Sequence, residues 1–111
     1  MKRSTHYDRN SATLDALRNA GANSSKLHCI EHHLYCYSAK SFDLVITLGR
    51  ERGFEVAHAG KHEVEEMLWS LDLTVRSLPT MEAIEWQSME IEEIAEAAEA
   101  DYDGWGTEVE Q

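Results

Sequence analysis

The stretch EMLWSLDLTVRSL, residues 66–78, decides the fold. Trp69, Leu71, Leu73 and Val75 fall on one parity and Ser70, Asp72, Thr74 and Arg76 on the other. An extended chain turns that period of two into one apolar and one polar face, as in a half-buried strand. Such strands belong to antiparallel sheets with one covered face, so the cover must come from helices elsewhere in the chain. Upstream, LHCIEHHLYCY at residues 27–37 is rich in β-branched, aromatic and Cys residues, with apolar Ile30, Leu34 and Cys36 on one parity. It reads as the first strand.

Outward from these two strands the periods alternate. Asp8 to Ala20 reads as a short opening helix, with Leu14 and Leu17 on one face and Gly21 as its left-handed stop. Ser38 caps a second helix that buries Phe42, Val45, Ile46 and Leu48, and Gly49 and Gly53 mark its end. Phe54 to His58 resumes as strand. Pro79 stands in the first turn of a third helix running to about Ala100, in which Ile84, Ser88, Ile91, Ala95, Ala98 and Tyr102 share a narrow arc. Finally Trp105, Thr107 and Val109 alternate after an Asp103-Gly104 turn and read as a last short strand. After the opening helix the order is β-α-β-β-α-β, the split arrangement in which two helices cover one face of a four-stranded antiparallel sheet. One domain over residues 1–111 is expected, with residues 1–7 flexible.

The charge is segregated. The chain carries 21 acidic and 10 basic side chains, a formal net charge of −11. Residues 1–78 are balanced at 10 of each sign, whereas residues 79–111 hold the other 11 acids and no Lys or Arg. That field repels nucleic acid and favours a basic protein partner. The run Leu34 to Tyr37 falls far short of the about 20 apolar residues of a membrane span, and no apolar stretch follows the basic MKRSTHYDRN of a would-be signal peptide. A cytoplasmic protein without membrane contact is expected. Cys29 and Cys36, on opposite faces of one strand, read as free buried thiols.

Catalytic and metal motifs find little support. His28 and His32 are four apart on a strand, about 13 Å, and His33 points away from both. His62-Glu63-Val64-Glu65-Glu66 opens like a zinc-protease helix but places Glu66 where the second His must stand. No cofactor, metal ligand set or catalytic residue is assigned. Glu31, His33 and Tyr35 share the polar parity of the first strand and suit a solvated face. On the third helix, setting Ile84, Ile91 and Ala98 inward turns Trp86 and Met89 outward among Glu82, Glu85, Glu93 and Glu96. An exposed indole ringed by carboxylates is what a hot spot for an Arg-rich partner looks like.

The strand motif Ile30-Glu31-His32-His33-Leu34 and the close Tyr102-Asp103-Gly104-Trp105-Gly106, in this order and about 70 residues apart, give the chain a family likeness. It resembles RraB, the regulator of ribonuclease activity B, over nearly its whole length. The resemblance implies a ferredoxin-like α+β fold and a non-catalytic inhibitor that binds ribonuclease E and alters the RNA-degrading assembly. Better-known members continue past the second motif in a long acidic tail, where this sequence runs to Gln111. The expected partner is thus ribonuclease E or a similar basic RNA-processing protein, met by a monomer. The alternative is a small ligand- or metal-binding domain built on the His-bearing first strand.

Overall fold

The computed structural model describes residues 3–65 and 67–111. Met1 and Lys2, from the segment read as flexible, and Glu66, at the expected start of the alternating strand, lie outside the described residues. In chain order the elements are α1 (Tyr7–Asn19), β1 (His28–Cys36), α2 (Ala39–Glu51), β2 (Glu55–Lys61), β3 (Trp69–Ser77), α3 (Met81–Ala98) and β4 (Asp101–Gly106). The strands form one antiparallel sheet in the order β2-β3-β1-β4. This is the expected ferredoxin-like α+β arrangement, preceded by a helix.

The period-two pattern of β1 is realised in full. His28, Ile30, His32, Leu34 and Cys36 are buried, while the residues between them are partly or fully exposed. With Leu71 and Leu73 of β3, Val45 of α2 and Ile91 and Ile94 of α3, the inward residues Leu34 and Cys36 make the main core. Leu14 of α1, Ile30, Ile84 and Trp105 make a second cluster beside it. Fully burying an aliphatic side chain of this size contributes about 1.5–3 kcal/mol.

Local chemistry sets the boundaries. The Ser38 hydroxyl accepts the Ser41 N–H at 3.0 Å and starts α2. Its end lies beyond Gly49, at Gly53 (φ +89°), where the Gly53 and Phe54 N–H groups close onto the carbonyls of Arg50 and Gly49 at 3.1 and 3.0 Å. Gly49 is therefore inside the helix, and its reason is contact: a Cβ there would stand 2.6 Å from Leu73 Cδ2. Pro79 precedes α3 instead of entering it, since Thr80 is the cap and accepts the Ala83 N–H at 3.4 Å. At the other end Glu99 adopts the left-handed conformation (φ 56°) in a place that glycine usually fills.

Three expectations need correcting. Asp103-Gly104 is no turn: both residues lie within β4, at a bulge opposite His33 and Leu34 where Gly104 has φ +115°. Thr107 and Val109 follow the strand, and that segment is held by Thr107 Oγ1 donating to the Cys29 carbonyl at 2.7 Å and by the Glu110 N–H donating to His28 Nε2 at 3.1 Å. Of the two cysteines only Cys36 is buried; Cys29 is exposed. The stretch ahead of α1 has anchors that no sequence pattern announces. Ser4 is buried against Glu85, and Thr5 is bonded through its N–H and hydroxyl to Glu92.

Candidate functional site

The outer face of α3 carries the expected aromatic. Trp86 is 54% exposed and stands between two shallow grooves. One, about 470 Å³, is lined by Arg3, Met89, Glu90, Glu92, Glu93 and Glu96; the other, about 600 Å³, has Val75, Leu78, Ala83 and Glu82 in its walls together with Arg76. Trp86 belongs to both walls. Glu82, Glu93 and Glu96 are exposed and Met89 is half-buried. The acids are not all equivalent. Arg52, at the end of α2, is bonded to Glu90 and, at 2.7 Å, to Glu93.

Glu85 does not belong to that face. It is buried, and it accepts the Ser4 N–H at 2.9 Å, the Ser4 hydroxyl at 2.6 Å and the Asn10 amide at 2.8 Å. Burial alone would push its pKa up, but these donors stabilise the carboxylate and hold the value below the usual range. The 100° rule gives the direction of a side chain and not what packs over it; here α1 and the segment before it cover that flank. Asn10 also donates to Ser88 Oγ at 3.0 Å and accepts the Trp105 indole N–H at 2.9 Å. A buried polar network thus joins the N-terminal arm, α1, α3 and β4.

The two sequence motifs meet in space. β1 and β4 pair with His32 opposite Trp105, His33 opposite Gly104, Glu31 opposite Gly106 and Leu34 opposite Tyr102. Gln87 Oε1 takes the His32 Nε2–H at 2.9 Å, which leaves Nδ1 to accept the Tyr102 hydroxyl at 2.7 Å. The ring is neutral in that arrangement. Burial drives its pKa down to about 4, and burial likewise raises that of Tyr102. Gly104 leaves room for Arg9, whose guanidinium donates to the Asp103 carbonyl at 2.7 Å and lies 3.0 Å from where a Cβ would stand.

The family model described as "Regulator of ribonuclease activity B" (RraB) matches residues 7–107. The chain belongs to the RraB family. A protein named regulator of ribonuclease activity B from Psychromonas ingrahamii is 30% identical over 96 residues, covering 85% of this chain and 79% of the relative. Proteins of the same name from Sodalis glossinidius and Pseudoalteromonas translucida are 34% and 26% identical, covering 66% and 86% of their own lengths. The RraB match runs from the first residue of α1 to the residue after β4, so it takes in every element described above.

On the uncovered face of this RraB-family sheet lies a group that sequence reading missed. Asp72 of β3 accepts from His33 Nδ1 at 2.6 Å and from His58 Nδ1 at 2.8 Å, and Glu31 Oε2 is 3.5 Å from the same His58 nitrogen. The Asp72 hydrogen bond raises the pKa of His58. Glu31, His33 and Asp72 have the outward parity that their strands predict; His58 joins them only because β2 bulges there. No helix among the described residues is long and apolar enough to cross a membrane.

Proposed function

We propose that the protein is a non-catalytic regulator of RNA decay in the cytoplasm that binds a ribonuclease, ribonuclease E or a similar basic RNA-processing enzyme, through the outer face of α3. The observation that carries this reading is Trp86, a large indole left 54% exposed on a helix whose neighbours are acids. Membership of a family of ribonuclease regulators supports the class of partner. The absence of Lys and Arg from residues 79–111 supports its basic character. In this reading the grooves beside Trp86 receive aliphatic stems of the partner's Arg or Lys side chains, while Glu82, Glu93 and Glu96 meet their charged heads. Electrostatics then sets the encounter rate and the indole sets the lifetime of the complex.

The test uses purified ribonuclease E, a labelled RNA substrate and this chain in excess. Slower or redirected cleavage supports the reading, and so does a dissociation rate that rises in Trp86→Ala at unchanged thermal stability. Unaltered cleavage with no measurable complex sinks the target. An inhibitory complex indifferent to both Trp86→Ala and a Glu82, Glu93 and Glu96 to Gln triple variant sinks the surface.

A further inference from the structure

The uncovered face of the sheet combines ligands from three adjacent strands. β3 lies between β2 and β1, with Asp72 opposite Ala57 on one side and His33 on the other. Glu31 projects on the same face of β1. His58 has φ 50°, a left-handed conformation uncommon for any residue but glycine, and the register of β2 slips between Ala57 and Gly60. A bulge of this kind re-aims a side chain, and here it turns the His58 imidazole over Asp72. One donor atom each from Glu31, His58 and Asp72 then lies within 4.8 Å of the others. Among the described residues no Lys or Arg pairs with either carboxylate.

We propose that Glu31, His58 and Asp72 form a binding site for a zinc ion on the open face of the sheet, with His33 positioning Asp72. In a tetrahedral zinc site with bonds of about 2.0–2.2 Å, neighbouring ligand atoms stand about 3.4 Å apart. The Glu31 to His58 separation of 3.5 Å already has that value, and the His58 to Asp72 contact of 2.8 Å opens by about half an ångström once the shared proton leaves. Binding needs Nδ1 of His58 free of its proton: the imidazolium gives that proton to solvent, or the neutral ring carries it on Nε2 instead, and the metal takes its place on Nδ1. The two oxygens of Asp72 divide the work: His33 Nδ1–H holds Oδ1, and Oδ2 faces His58. Such outer hydrogen bonds fix a ligating carboxylate. The remaining coordination position faces solvent. An imidazole with only two carboxylates suits zinc; calcium and magnesium require a fuller shell of oxygens.

Calorimetric titration of the full chain with zinc chloride tests the site, with magnesium and calcium chloride as probes of class. One zinc per chain and a raised melting temperature are expected. His58→Asn keeps a residue that tolerates the left-handed backbone, removes the imidazole and should abolish saturable binding. His33→Ala should weaken zinc by about 10–100-fold. His62→Ala, which alters a histidine bonded instead to Ser70, should bind as the wild type does. No saturable zinc binding by the folded wild type would overturn the proposal, as would full affinity in His58→Asn or loss of binding in His62→Ala. The site lies across the sheet from α3, so Trp86→Ala should leave zinc binding intact, and either result is independent of the ribonuclease reading.

Discussion

His32 and His33 are neighbours in sequence that stand on opposite faces of one sheet, and the two faces hold polar groups by opposite means. Under the helices His32 is fully buried and kept neutral between Gln87 and Tyr102, while Asn10, Glu85, Ser88 and Trp105 satisfy one another nearby. On the open face His33 and His58 converge on Asp72 in contact with water. Inside, a missing partner is expensive because nothing replaces it; outside, water replaces most of what is lost. One residue type, at adjacent positions, therefore acts as a buried hydrogen-bond hub on one side and as a water-exposed partner of Asp72 on the other.

The sharpest way to break this contrast is Asn10→Ala. It strips partners from Glu85, Ser88 and the Trp105 indole at once, and a loss of about 3 kcal/mol in urea unfolding is expected. A loss as large from His58→Asn would show that the two faces are not held differently after all. Acid titration gives an effect of similar size. An unfolded histidine titrates near 6.5, whereas folded His32 does so at about 4. Between these values the unfolded chain binds a proton that the folded one refuses. The stability linked to His32 is therefore complete above pH 6.5 and falls as pH drops towards 4, by about 3 kcal/mol. His58, whose pKa is raised, acts with the opposite sign: its contribution is present below pH 6.5 and fades as pH rises through its folded value. Comparing urea midpoints of wild type, His32→Gln and His58→Asn across pH 4–8 would reveal the two slopes; a common sign for both removes the distinction.

Smaller effects probe the third helix. Trp86→Ala should raise the dissociation rate from the ribonuclease by an amount worth about 2 kcal/mol, with the melting temperature nearly unchanged. If surface plasmon resonance shows the wild-type rate, the exposed indole is not a contact. The least is Glu99→Gly, which relieves a left-handed non-glycine residue and a negative charge at a helix C-terminus. Stability should rise by about 1 kcal/mol, measured as a higher melting temperature.

Element order was legible in the sequence because each buried face left its own period: two in β1 and β3, near 3.6 in α2 and α3. What escaped depended on contacts between distant residues. Gly49 looked like a stop because only Leu73 explains it. Glu85 looked exposed because Ser4 and Asn10, its partners, are 81 and 75 positions away. The outward direction of Trp86 was legible from helical phase alone. The cluster on the open face was half legible, since parity aligns Glu31 with His33, but the bulge that brings in His58 leaves no periodic trace.

The place of β1 within the sheet has a consequence for synthesis. It lies between β3 and β4, and β4 is made after every other described element. While the ribosome adds residues at about 5–20 per second, β1 keeps one edge unpaired until Asp101–Gly106 emerges, and the Trp105 indole that completes the buried network arrives with it. Folding of the sheet must then wait for β4 to emerge, with a bare strand edge open to pairing by other chains in the interval. Ribosome-bound chains halted at Ala100 are accordingly expected to be as protease-sensitive as unfolded ones, and protection at that length would show that the first strand is safe without its last neighbour.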